Sequence, residues 1–199
     1  MRNFYSPLKD CEPMLRFVFL TGITKFSQMS IFSELNNITN ISMDHEYAGI
    51  CGITKEELET QMSADVDALA VKMNLTRIQT LVALREFYDG YHFAAQSPDI
   101  FNPYSLLNAM AAGCLDYYWF TSGTPTYLIE MLKKFQVMPS DIGRCEADKS
   151  EFDVALGNMN SILPILYQSG CITIKDYDPE TKLFTLDIPN KEAQKALTW

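Results

Sequence analysis

The spacing of apolar positions changes along the chain, and each change predicts an element. Leu15-Arg16-Phe17-Val18-Phe19-Leu20 is short, rich in β-formers and nearly continuously apolar, the pattern of a strand buried on both faces of a parallel sheet. It closes at Thr21-Gly22. At roughly 1.5–3 kcal/mol per buried large side chain, its five apolar residues represent about 8–15 kcal/mol, comparable with the net stability of a whole domain. Such a strand needs neighbours, yet no βαβ succession surrounds it. The pattern therefore predicts that its partner strands precede Met1 in a longer protein.

Helical spacing follows. Ile41 to Tyr47 reads as a loop, and Thr54-Lys55-Glu56-Glu57 as a capping box. Leu58, Met62, Val66, Leu69 and Met73 recur at three and four, predicting one helix with a single apolar face that ends at Asn74. A second helix starts near Thr76, with Ile78, Leu81, Val82, Arg85 and Tyr88 along one side, and stops at Asp89-Gly90. Asn102-Pro103 supplies the N-cap and first position of a third, whose far end is Gly113. Thr124-Pro125 repeats that signal for a fourth, running to about Phe135. A fifth is predicted over roughly Met159 to Ser169, with Pro164 in its first turn and Gly170 at its end. The period then drops to two: Cys171–Ile174 and Leu183–Leu186 flank the polar stretch Asp176–Thr181, a hairpin signal. Helix followed by hairpin suggests a winged-helix-like element. Asp187-Ile188-Pro189-Asn190 leads from a strand end into a helix cap, and Trp199 falls in mid-structure.

Composition narrows the class. With 199 residues, 47% hydrophobic and 12% aromatic, the chain has material for one sizeable core or two small ones. Five cysteines, scattered, odd in number and never in a CxxC pair, argue against a disulfide framework or zinc site and fit a reducing cytoplasm. Met1 to Asp10 holds no apolar signal region, and no apolar run approaches the roughly 18 residues of a membrane span. Export and membrane anchoring are not expected. A net charge of -9 disfavours general attraction to nucleic acid, so direct DNA binding is not expected either. Lys133-Lys134, the one adjacent basic pair, reads as a solvated helix end that favours the helix dipole.

No Walker A loop, GxGxxG, HExxH or GxSxG is present, so the glycine-rich turn that cradles phosphate is missing, as is the acidic strand of a metal-dependent nuclease. Tyr88-Asp89-Gly90-Tyr91-His92-Phe93 carries one of the two histidines. An imidazole acts only with a nucleophile or metal beside it, and no partner can be named, so this stretch reads as a packed turn. His45, between Asp44 and Glu46, reads as a surface loop residue; Asn36-Asn37 and Asn40 read as turn residues. Among the ten methionines, Met62 and Met73 read as core filler.

Six ordered phrases remain: residues 17–27 (FVFLTGITKFS), 31–37 (IFSELNN), 88–93 (YDGYHF), 102–106 (NPYSL), 118–126 (YWFTSGTPT) and 166–170 (LYQSG). Together they closely resemble a predicted bacterial AAA-ATPase-like family over almost the whole chain. In that family a P-loop and Walker B strand lie upstream, a PD-(D/E)XK-type nuclease domain usually follows, and ATP and Mg2+ serve the full-length protein. The resemblance implies that this chain is the part after Walker B, inactive as an ATPase by itself. Its partners would be the N-terminal P-loop segment and the C-terminal nuclease domain; separately, the exposed edge of the apolar strand leads to the expectation of self-association.

By the same resemblance, Leu15–Leu20 looks like the sheet strand beside Walker B, and Thr21 takes the position of a polar γ-phosphate sensor. Thr24 and Lys25 are second candidates, because ligands sit beyond the carboxyl ends of such strands. The plain alternative is that Thr21 ends a strand and Lys25 is solvated. Gly123 and Pro125 match a glycine-x-proline element that touches adenine; the alternative is a simple helix start. The expected fold is mainly α with a little β. Residues 1–52 form the remnant of a P-loop-type sheet with its sensor loop, 53–150 a helical lid region, 151–188 a winged-helix-like helix plus β-hairpin, and 189–199 the start of a linker.

Overall fold

The computed structural model describes residues 10–22, 39–121, 125–154 and 159–197. A helical layer comes first. β1 (Ile53–Thr54) runs into α1 (Lys55–Thr60), α2 (Ser63–Met73) and α3 (Arg77–Tyr88); β2 (Ile100–Phe101) pairs antiparallel with β1 and runs into α4 (Pro103–Ala112). The capping box at Thr54 forms: Thr54 Oγ1 accepts from Glu57 N at 3.2 Å, and Glu57 Oε2 accepts from Thr54 N at 2.8 Å. A second box, Thr76 with Gln79, opens α3.

The single helix expected from Leu58 to Met73 is two helices, broken at Gln61-Met62. Periodicity concealed the break because the apolar stripe crosses it: Leu58, Val66 and Leu69 are buried, with Met62 and Met73 packed beside them. Arg77 braces the corner by donating to Glu59 O at 3.2 Å and Ser63 O at 3.0 Å. α2 ends as predicted, with Asn74 in the left-handed conformation. On α3 the predicted face is rotated. Thr80, Leu84 and Tyr88 are buried, whereas Ile78 and Val82 are 75% and 52% exposed. Thr80 tolerates that position because its hydroxyl donates to Thr76 O at 3.0 Å. α4 has the predicted ends, Asn102 Oδ1 accepting from the amides of Tyr104 and Ser105 and Gly113 closing it in the left-handed region.

The second half contains α5 (Tyr118–Thr121), α6 (Pro125–Phe135), β3 (Cys145–Ala147), α7 (Lys149–Phe152), α8 (Leu163–Gln168), β4 (Thr173–Tyr177), β5 (Phe184–Asp187) and α9 (Lys191–Leu197). β3, β5 and β4 form an antiparallel sheet in that order. Helix, strand, two helices and hairpin in this order give a winged-helix-like arrangement. β3 escaped the sequence pattern because three residues cannot display an alternation. α8 starts later than expected, which places Pro164 at its second position, where no backbone hydrogen bond is lost. Leu128 and Leu132 of α6 meet Phe152, Ile165, Leu166, Ile174 and Leu186 in a core separate from the Leu58–Ala109 cluster.

The described residues are thus mainly helical with two small antiparallel sheets. Leu15–Leu20 belongs to no strand among the described residues, and Phe17 is 80% exposed. The physical reason is the absence, among those residues, of a neighbour for it to pair with. Phe17 and Phe19 still lie on one side, their rings stacked 6.4 Å apart, as two-residue spacing requires. No described helix is long and apolar enough to cross a membrane.

Candidate functional site

The aromatic turn after α3 sits where the two cores meet. Tyr88, fully buried, places its hydroxyl on the backbone of Asp116, donating to O at 2.8 Å and accepting from N at 2.9 Å. Tyr91 pairs with Ile100 in an isolated bridge. Thr173 Oγ1, at the start of β4, donates to His92 O and accepts from His92 N, both at 2.8 Å. Asn190 Nδ2 donates to Asp89 O at 2.8 Å while its Oδ1 caps α9 through Ala193 N. The Tyr88–Phe93 stretch is therefore a packed turn.

Lys175 completes the junction. Ile174 pairs with Leu186 and Asp176 with Thr185, so Lys175 is the extra residue of a β-bulge. A bulge redirects a side chain; here Lys175 Nζ reaches Gly90 O at 2.8 Å and Pro189 O at 3.5 Å. Burial pulls its pKa below the ordinary lysine value, against the opposing charges of Asp99, Asp187 and Asp89. Burial also raises the carboxyl of Asp89, whose Oδ2 lies 3.5 Å from Arg85 Nε and whose Oδ1 has no hydrogen-bond partner among the described residues.

His92 Nε2 lies 3.1 Å from Asp99 Oδ1. The nearby Thr173 hydroxyl is not aimed at that carboxylate–imidazole pair, being occupied by the histidine's own backbone. Lys175 directs two of its three donors at carbonyls. These bonds join the aromatic turn to β4 and to the start of α9. Two cavities flank it. One of 520 Å³ is bordered by Met43, His45, Gln96, Lys149 and Tyr177, and one of 180 Å³ by Tyr91, Phe93, Phe101, Asn102 and Trp119.

Of the residues assigned to nucleotide, Thr21 is exposed and follows the unpaired apolar run. Pro125 is the first residue of α6. Thr24, Lys25 and Gly123 lie outside the described residues, as do Asn36 and Asn37. Asn40 makes the expected turn by accepting from Ser42 N at 3.0 Å, and His45 is exposed beside Asp44. Lys133 and Lys134 are exposed in the last turn of α6. All five cysteines are free thiols. Among the described residues no group of three or more His, Cys, Asp or Glu side chains could hold a metal ion.

Sequence reasoning missed Thr173, Lys175 and Glu192; Asn190 was read as the helix cap it is, but not its bond to Asp89 O. Lys175 falls on the polar phase of the Ile172-Thr173-Ile174 alternation, so nothing local marked it as a junction residue.

Residues 1–32 match the family described as Predicted AAA-ATPase. The chain is also 30% identical over 202 residues to an uncharacterized protein in the vnfD 5' region of Azotobacter chroococcum mcd 1, a match covering 99% of this chain and 36% of that protein. The chain thus spans about a third of the length of the curated relative it matches. No solved structure matches it.

Proposed function

We propose that this chain is the sensor and lid portion of a predicted AAA-like ATPase, and that the whole protein uses nucleotide to regulate an attached nuclease. The observation that carries this reading is the family match over residues 1–32, which contains the exposed apolar run and Thr21. An unpaired run of that composition is suited to adding to a sheet that also carries the phosphate-binding loop. Thr21 would then face nucleotide from the strand end, and Pro125 would start the lid helix. Alignment of nearly the whole chain with about a third of a longer relative is consistent with its acting as one portion of a larger protein. The chain by itself, with no glycine-rich phosphate loop in its 199 residues, would turn over no ATP.

The test is nucleotide binding and hydrolysis by a full-length protein with an intact P-loop. Thr21→Ala in that protein should lower hydrolysis on the order of tenfold or more while leaving binding largely intact, as for loss of one transition-state donor. A full-length protein that binds no nucleotide refutes the reading.

The strand order β3-β5-β4 favours a second reading, a winged-helix-like adaptor. Its candidate recognition helix, α8, is Leu-Pro-Ile-Leu-Tyr-Gln and carries no basic residue, so its partner would be a protein rather than DNA. Tight DNA binding that weakens steeply with salt would overturn that choice.

A further inference from the structure

Glu192 opens α9 yet is fully buried. Its Oε1 accepts from Ser105 Oγ of α4 and from Trp119 N of α5, each at 2.9 Å, while Oε2 has no hydrogen-bond partner among the described residues. One carboxylate oxygen thus fastens three helices, including the short one that leads toward α6. Buried carboxylates are rare unless their position is used for something, and neither the nucleotide-sensing reading nor the adaptor reading uses this one.

We infer that Glu192 is a proton-operated latch: ionised, it binds α5 to α4 and α9, and protonated, it lets the Trp119 amide go. The donors and acceptors at the site favour this. A proton on Oε1 turns the shared acceptor into a donor toward Ser105 Oγ and leaves Trp119 N–H without its acceptor. A proton on Oε2 sits where no partner receives it, and it weakens Oε1 as an acceptor by removing the charge. The ionised form satisfies the site's donors, and burial opposes ionisation, so the two states are poised against each other. Tyr88 from α3, Tyr91 from the aromatic turn, and Asp116 ahead of α5 face the carboxyl, while neighbouring Lys191 pairs with Glu86 on α3. Burial first, with Asp116 adding, raises the carboxyl above the ordinary glutamate value of 4.5; the Ser105 hydroxyl and the backbone N–H groups of Trp119 and Tyr118 oppose the rise. This latch holds whether or not the parent protein binds nucleotide.

Trp119 reports the event directly. The chain has two tryptophans, and Trp199→Phe leaves Trp119 as sole emitter. Titrated from about pH 4 to about pH 8, that protein should show a reversible emission change with a midpoint above 4.5. Adding Glu192→Gln should abolish the transition, with circular dichroism confirming the helices. Should that variant not fold, Ser105→Ala should shift the midpoint upward and Asp116→Asn downward. A transition unchanged in Glu192→Gln, a midpoint unmoved by both of the other variants, or a flat titration of the parent overturns the latch.

Discussion

Lys175 Nζ donates to Gly90 O at 2.8 Å, joining a bulged strand of the second core to the turn that ends α3 of the first, 85 residues away in sequence. The bond satisfies a carbonyl at a part-buried junction, and the bulge is what aims the lysine there. Lys175→Met keeps the stem and removes the donor. Leaving Gly90 O unpartnered should cost about 1–3 kcal/mol, lowering Tm by several degrees for a chain of this size. Thermal denaturation checks it, and an unchanged Tm would mean that water replaces the ammonium without loss.

Gly90 faces the same contact from the other side. Its φ is +89°, and a Cβ there would lie 2.6 Å from Pro189 O and 3.2 Å from Lys175 Nζ. Gly90→Ala should therefore destabilise by roughly 1–3 kcal/mol from backbone strain alone, with the carbonyl clash added. Gly143, where an added Cβ would meet nothing within 4 Å and φ is outside the left-handed region, is the control. Gly143→Ala should be neutral or stabilising by up to about 1 kcal/mol. Urea denaturation of the two variants should separate them clearly.

Asp89 gives a pH dependence whose sign can be worked out. Burial raises its folded carboxyl above the ordinary 3.8, so the folded state binds the proton more tightly than the unfolded chain. Its stabilising contribution is complete below about 3.8 and is lost as pH rises through the raised folded value. Asp89→Asn should thus gain on the parent protein as pH rises across that window. Glu57, Asp148 and Asp178 act oppositely: hydrogen bonds from nearby backbone and side-chain donors hold them low, so their support is complete above the ordinary values of 4.5 for Glu57 and 3.8 for the two aspartates and is lost as pH falls below these through the lowered folded values. Denaturant midpoints of parent and variant, measured at several pH values, test the crossing of these trends.

Elements bounded by local chemistry were legible in the sequence. The Thr54 box, Asn102-Pro103 with Gly113, and Asn74 announce helix ends because the groups that satisfy those ends are neighbours in sequence. Thr54→Ala should cost about 0.5–2 kcal/mol. The corner at Gln61-Met62, the rotated face of α3 and the strand Cys145–Ala147 were not legible, since each depends on residues far along the chain. The same holds for the junction. That Lys175 and Glu192 lie inside follows from a bulge and from three helices converging, and no local pattern encodes either. The aromatic turn was legible as packed and Asn190 as a helix cap, but the bonds from Thr173 and Asn190 to that turn were not.

Phe17 and Phe19 stack on one side of a run in which six consecutive positions, Leu15 to Leu20, are exposed. Single exposed apolar residues are ordinary, whereas a contiguous β-prone run offers both apolar surface and unpaired backbone groups to another chain. The 199-residue chain should therefore self-associate with increasing concentration. Phe17→Asp with Phe19→Asp should suppress this, because each charge would have to be desolvated on pairing. Sedimentation velocity of both proteins decides the matter: a parent that stays monomeric at every concentration would show that the run is held apart from other copies. Suppression in the variant, with helix content preserved, would place the contact on these two rings rather than on the exposed Ile78 and Val82 of α3.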